Sequence, residues 1–291
     1  MSMTIAHVGP DLPQRLLRAT GRHAGPIAFD AERTTPHADR WMESKFAPWA
    51  KAILESWAAG EYEAHSHVVF SRGDDSAQRL YYYVCELQRR GALAGPEALI
   101  LDIAKVPRES SVTHTVRCLR NLAGKLDVTP EQLGAVGPGD AKTAEEAASP
   151  ACLLTGTPPP DRRLHEAVEG AGFSAIGPTL PQSWCLLDDP IDRSLGNPFE
   201  TLARQIHAAP NGPRAFGDSG ARLLGQIETH GAVAAILWQI EEDEAQAWHL
   251  PAQRAALDSA GLPSLVLTRR DWLARDGAGE EIAEFLTEIA R

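Results

Sequence analysis

The ten residues 67–76 constrain the fold more than any other stretch of this chain. Residues 68–71 form a nearly uninterrupted apolar and β-prone run, which is typical of a strand covered on both faces of a sheet. Gly73 can adopt backbone angles that other residues avoid, and residues 74–76 are all good helix N-caps. The stretch therefore predicts a buried strand, a tight turn and the start of a helix.

The same alternation continues along the chain. Further strands are predicted at residues 98–103, 152–155, 173–176, 233–240 and 264–268, with amphipathic helical patterns between them. Strands that alternate with helices form βαβ units and parallel sheets. A stretch with several Gly and Pro at 137–150 indicates a linker. We therefore predict an α/β protein with two doubly wound parallel-sheet lobes, 1–136 and 151–291, and a cleft between them. Residues 233–240 should form an inner strand.

Composition narrows the class of protein. The net charge of −11, from 28 Lys and Arg against 39 Asp and Glu, argues against a nucleic-acid surface. We find no apolar run near the ~20 residues that span a bilayer and no signal-peptide pattern, so a cytoplasmic protein is expected. The cysteines form no CxxC pair, and most should be buried as small hydrophobic residues (Cys85, Cys118, Cys152 and Cys185).

Candidate site residues follow from the predicted fold. In open α/β sheets, ligands bind at the turns beyond the carboxyl ends of the strands. We take the following residues at these ends as candidate substrate-binding residues: Ser71, Arg72, Asp74, Thr155, Gly156, Thr157 and Gln239. The competing interpretation is structural, because polar residues in such turns often only cap a helix.

The same turns are rich in acidic residues. They include Asp74, Asp75, Asp271 and the run 241–244. Carboxylate oxygens could bind a hard divalent cation. Alternatively, the acidic residues simply begin helices, where the helix dipole favours negative charge.

Four short stretches carry a resemblance to a known family. They are residues 36–75 with Gly60-Glu61-Tyr62, residues 153–161 (LLTGTPPPD), residues 216–237, and residues 261–267 (GLPSLVL). These motifs resemble those of the 2-hydroxyacyl-CoA dehydratases, a family that also contains the catalytic subunits related to benzoyl-CoA reductase. The likeness covers roughly residues 20–291.

The resemblance implies two related subunits, each with two α/β lobes around an iron–sulfur cluster held by cysteines at strand ends. A separate ATP-driven protein supplies an electron, and the hydroxyl group leaves from a ketyl radical of the CoA thioester. This chain departs from the pattern, because residues 71–74, 105–107 and 239–243 contain no cysteine where the ligands are expected. We therefore expect no cofactor or metal on this chain, and a [4Fe-4S] cluster only on a partner subunit.

Three hypotheses remain open. In the first, the chain is a non-catalytic subunit of a lyase complex and shapes an acyl-CoA cleft beside a cluster-bearing paralogue. In the second, it is a binding or interaction module that kept the fold and lost the chemistry. In the third, it is a divalent-metal enzyme that uses the acidic turns. The resemblance implies a dimer, with itself or with the cysteine-bearing relative. Arg72 would pair either with an anionic group of the acyl-CoA or, as we favour, with residues 241–244.

Overall fold

The computed structural model describes residues 3–103, 105–137, 149–187, 196–209 and 217–291. They divide into two compact units, one within the bounds Met1–Ala141 and Pro181–Phe216, the other within Lys142–Leu180 and Gly217–Arg291. Each unit contains a four-stranded sheet whose strands are all parallel and are connected through helices. The predicted fold class, α/β with two parallel-sheet lobes, is confirmed.

The elements are as follows in chain order. The strands are β1 (Thr4–Val8), β2 (His23–Pro26), β3 (His65–Ser71), β4 (Glu97–Leu101), β5 (Ala151–Gly156), β6 (Ser174–Ile176), β7 (Ala232–Ile240) and β8 (Ser264–Arg270). The helices are α1 (Gln14–Arg18), α2 (Ala38–Trp41), α3 (Pro48–Ala58), α4 (Asp75–Arg89), α5 (Glu109–Lys125), α6 (Pro130–Ala135), α7 (Arg163–Gly170), α8 (Leu180–Ser183), α9 (Pro198–Ala208), α10 (Ser219–His230), α11 (Glu244–Ala247), α12 (Leu250–Ala260) and α13 (Ala278–Ile289). None of these helices is long and apolar enough to cross a membrane.

The first sheet has the strand order β2-β1-β3-β4. From β1 the chain moves to one side of the sheet, and from β3 it moves to the other. The carboxyl ends of β1 and β3 therefore form a topological switch point, where open α/β sheets bind ligands. The predicted strand, turn and helix are confirmed here, because Val68, Val69 and Phe70 are fully buried in β3 and Asp74 caps α4.

The helix α9 belongs to the core of the first unit. Its apolar face, with Phe199, Leu202 and Ile206, packs with Leu119 of α5 and with residues of β4. The predicted second lobe covers the whole of residues 151–291, and this boundary is wrong because residues 181–216 belong to the first unit. An amphipathic pattern shows that a face is buried but does not show against which sheet. The predicted linker, 137–150, lies mostly outside the described residues.

The second sheet repeats the strand order of the first, as β6-β5-β7-β8. The strand β7 pairs in parallel with β5 on one side and with β8 on the other. All of its residues except Val233 are buried. The prediction of an inner strand at residues 233–240 is thus confirmed, and the switch point of this sheet lies between β5 and β7.

Gly156 makes the close approach of β5 to β7 possible. Its φ is 103°, and a Cβ atom at this position would lie 2.2 Å from the carbonyl oxygen of Trp238. A backbone oxygen cannot move away without breaking the pairing of β7. Glycine is therefore required at this strand end both by its backbone angle and by the close approach.

We expect Gly156→Ala to lower the free energy of unfolding by about 1–3 kcal/mol through the left-handed backbone angle. The contact of the added Cβ atom with Trp238 should lower it further. Urea denaturation measures this. The matched control is Gly225→Ala in α10, where nothing lies within 4 Å of the added atom. The higher helix propensity of alanine should raise the free energy of unfolding of this variant by about 0.5–1 kcal/mol. Equal stability of Gly156→Ala and the wild type would contradict the assigned strand end.

Candidate functional site

The carboxyl edge of the first sheet brings three turns together. The turn after β1 begins with Gly9, whose Cβ would lie 2.9 Å from the Cβ of Ser71 at the end of β3. In the turn after β3, a Cβ on Gly73 would lie 2.8 Å from Oδ2 of Asp11. The two turns are thus in direct contact at the switch point. The third turn follows β4 and carries Asp102 and Lys105.

A buried ion pair joins the turns after β1 and β4. The Nζ atom of Lys105 lies 3.0 Å from both carboxylate oxygens of Asp11, and the two side chains are only 4% and 1% exposed. Asp11 also has a φ of 62°, in the left-handed region. Burial raises the pKa of Asp11, although the charge of Lys105 acts in the opposite direction. Buried charge and unusual backbone at a switch point are typical of functional sites.

Arg72, a predicted site residue, pairs with Asp102. Its Nη1 atom donates to Oδ1 of Asp102, and the two side chains are 40% and 37% exposed. The hydrogen bond from this pairing raises the pKa of Arg72. The favoured prediction for Arg72 was a pair with residues 241–244, and Asp102 was not predicted as its partner. Asp102 reaches Arg72 because neighbouring parallel strands end at the same edge of their sheet.

Ser71 and Asp74 shape the turn that presents Arg72. The Ser71 hydroxyl accepts a hydrogen bond from the backbone N–H of Gly73 at 2.8 Å. The Asp74 carboxylate accepts one from the backbone N–H of Ala77, also at 2.8 Å, and so caps α4. This cap is the contact that the structural interpretation predicts for Asp74.

The remaining predicted residues lie at the carboxyl edge of the second sheet. The Thr157 hydroxyl donates to Oδ2 of Asp243 at 2.9 Å, and the side-chain amide of Gln239 donates to the carbonyl of Gln246 at 3.1 Å. Thr155 and Gly156 lie in β5, paired with β7. Burial raises the pKa of Asp243, against the hydrogen bond from Thr157. The predicted site residues therefore fall into two groups, one at the edge of each sheet.

The acidic turns make mostly structural contacts. Asp74 and Asp243 cap α4 and α11, Glu241 pairs with Arg269 at 2.9 Å, and Asp271 accepts from two backbone N–H groups of its own turn. Within the described residues, the only group of three or more potential ligands with atoms within 4.8 Å of one another is Asp102, His114 and Cys118. None of these three residues is among the predicted site residues.

The cysteines are less buried than predicted. Only Cys152 is fully buried, in β5, and burial raises the pKa of its thiol to about 12. Cys85, Cys118 and Cys185 are half-buried. For Cys118, burial and then the nearby charge of Asp102 raise the pKa.

His7 is a buried histidine in β1, close to the switch point. Its Nδ1 atom lies 3.0 Å from Nε2 of His23, and its Nε2 atom lies 4.0 Å from Sγ of Cys185. Burial, followed by the charge of His23, lowers the pKa of His7 to about 3. His7 is therefore neutral in the folded protein at any pH well above that value.

No model of a known protein family matches this chain, and no curated protein matches it. The likeness to the 2-hydroxyacyl-CoA dehydratases therefore stays a prediction.

We expect Lys105→Met to lower the free energy of unfolding by about 3–5 kcal/mol, because it leaves the carboxylate of Asp11 buried without its cation. The double variant Lys105→Met with Asp11→Asn should recover most of that loss. Asparagine carries no charge and tolerates the left-handed angle at position 11. Denaturant titration of the single and double variants at pH 7 tests this. A double variant as unstable as the single one would show that the ion pair is not the cause.

His7 should make the free energy of unfolding depend on pH. Its pKa is about 3 in the folded protein against 6.5 for the free group, so its contribution is complete above pH 6.5 and is lost as the pH falls towards 3. Between pH 7 and pH 5, the wild type should lose about 2 kcal/mol more stability than His7→Gln. The control is His230→Gln, at an exposed position, which should keep the wild-type dependence. An unchanged dependence in His7→Gln would contradict the assignment.

Proposed function

We propose that this chain binds an anionic small molecule at the carboxyl edge of its first sheet, as a non-catalytic subunit of a dehydratase-like complex with an acyl-CoA as ligand. The observation that carries the proposal is the position of Arg72. It directly follows β3, beside the switch point, and its side chain is half-exposed. The carboxyl ends of inner parallel strands are where this architecture binds ligands.

The chemistry of Arg72 suits an anionic group. A guanidinium presents five N–H donors in a planar fork that matches carboxylate and phosphate oxygens. Within the described part of the chain, Asp102 is the one hydrogen-bonding partner of the Arg72 side chain, and it engages Nη1. Further donors therefore remain for a ligand, while the ion pair restricts the movement of the guanidinium.

The choice of an acyl-CoA and of a cluster-bearing partner rests on the resemblance alone. If the chain instead acts by itself as a binding module, the same edge and the same arginine serve, and no partner is needed. A divalent-metal enzyme that uses the acidic turns has less support, since Asp74, Glu241, Asp243 and Asp271 already cap helices, stabilise turns or form an ion pair.

Arg72→Ala should weaken the binding of acetyl-CoA at least tenfold, because a charge-assisted hydrogen bond contributes about 1.5–3 kcal/mol. Arg72→Lys should give an intermediate affinity, as it keeps the charge and loses the fork. Isothermal titration calorimetry with acetyl-CoA, and with free CoA for comparison, measures both. Neither variant should change the melting temperature by much, since exposed ion pairs contribute about 0–1 kcal/mol.

The matched control is Arg79→Ala. Arg79 is also half-exposed and ion-paired, with Glu43, and it lies on the first turns of α4 in the same unit. Its removal should leave acetyl-CoA affinity unchanged. Failure of the wild type to bind acetyl-CoA, or equal affinities of the wild type and Arg72→Ala, would overturn the proposal.

A further inference from the structure

We propose that Asp102, His114 and Cys118 form a binding site for a divalent metal ion such as Zn²⁺ or Co²⁺. The site lies at the carboxyl end of β4, and it goes beyond the proposed function, which assigns no metal to this chain. Two rigid elements provide the three ligands. Asp102 directly follows β4, and the other two residues project from α5.

The spacing of His114 and Cys118 places them together. They are four residues apart in a 17-residue helix, so both side chains lie on one face, one turn from each other. The described contacts agree, since Sγ of Cys118 lies 3.5 Å from Nε2 of His114. The same nitrogen lies 3.3 Å from Oδ2 of Asp102. One imidazole nitrogen is thus adjacent to both other ligand atoms.

These distances suit tetrahedral coordination. With metal bonds of about 2.0–2.1 Å to nitrogen and oxygen and about 2.3 Å to sulfur, a tetrahedral site separates N from O by about 3.4 Å and N from S by about 3.6 Å. The observed separations are 3.3 and 3.5 Å. The ligand atoms of all three residues lie within 4.8 Å of one another, so an ion could bind after a small movement of the ligands. Three protein ligands would leave the fourth position for water or another small molecule, as in catalytic zinc sites.

The ligand types favour a transition metal over Ca²⁺ or Mg²⁺. Thiolate and imidazole are the donors that Zn²⁺ and its neighbours prefer, whereas Ca²⁺ and Mg²⁺ prefer oxygen donors alone. The carboxylate is also held in place, because Arg72 pairs with Oδ1 of Asp102 while Oδ2 faces His114. A hydrogen bond on the second oxygen is the usual support for a carboxylate ligand.

Arg117 opposes metal binding in the present arrangement. Its guanidinium lies 2.9 Å from Nδ1 of His114, and an arginine can only donate. Nδ1 therefore accepts, which leaves the proton of a neutral imidazole on Nε2. Metal binding at Nε2 requires the proton to move to Nδ1 or to leave, and Arg117 must turn away. Arg117 is exposed, so this movement is sterically open, and Arg117→Ala should bind metal at least as tightly as the wild type.

The test uses the full chain, freed of metal with a chelator and then titrated with Co²⁺ and with Zn²⁺ alone. We expect one ion per chain, and for Co²⁺ the thiolate charge-transfer band together with the visible bands of tetrahedral coordination. Cys118→Ser should abolish the charge-transfer band. It should also weaken Zn²⁺ binding by more than the roughly 10–100-fold that loss of an outer-shell partner costs.

The control is Cys85→Ser, which changes another half-buried helical cysteine and should leave binding unchanged. If Cys118→Ser does not fold, His114→Gln at a half-exposed position provides the same comparison. The proposal is overturned if the wild type binds Zn²⁺ no more tightly than these variants, or if the charge-transfer band persists in Cys118→Ser. No CoA thioester is present in the assay, so its result is independent of the proposed function.

Discussion

The buried ion pair between Asp11 and Lys105 fixes the carboxyl edge of the first sheet. Asp11 follows β1 and Lys105 follows β4, and in the sheet order β2-β1-β3-β4 these strands lie on either side of β3. The pair therefore bridges the end of β3. Each charge would be costly to bury alone, so neither turn can move without the other. The turn after β3 lies against this bridge through the contact of Gly73 with Asp11, and it carries Arg72.

The carboxyl edges of the two sheets are built in related ways. In each, the first strand along the chain ends at a glycine that contacts the third, Gly9 against Ser71 and Gly156 against Trp238. In each, a polar side chain one or two residues after that glycine bonds to a residue beyond a later strand. The bond is a charge pair in the first unit and the Thr157 hydroxyl to the Asp243 carboxylate in the second. A glycine that leaves no room for a Cβ atom is thus common to both units, and the polar chemistry differs.

The sequence predicted local structure well and distant partners poorly. The apolar run in β3, the helix start within residues 74–76 and the inner strand β7 are local patterns, and all three are confirmed. The membership of α9 in the first unit depends on a core assembled from residues far apart along the chain. Asp11 and Lys105 are separated by 94 positions, and a sequence pattern carries no signal for such a pair. The four-residue spacing of His114 and Cys118 is a local pattern. It indicates a metal site only together with Asp102, which the fold brings close to both residues.

Asp102 links the two proposals made for the first sheet. Its Oδ1 atom pairs with Arg72, and its Oδ2 atom faces His114. A divalent ion bound at Oδ2 would add positive charge and would draw electron density from the carboxylate, which weakens the hold of Asp102 on the guanidinium. The Nη1 donor of Arg72 would then be available to an anionic ligand, and the bound ion would add a second positive charge nearby. Binding linkage is reciprocal, so an acyl-CoA at Arg72 would raise the affinity of the edge for the metal by the same factor.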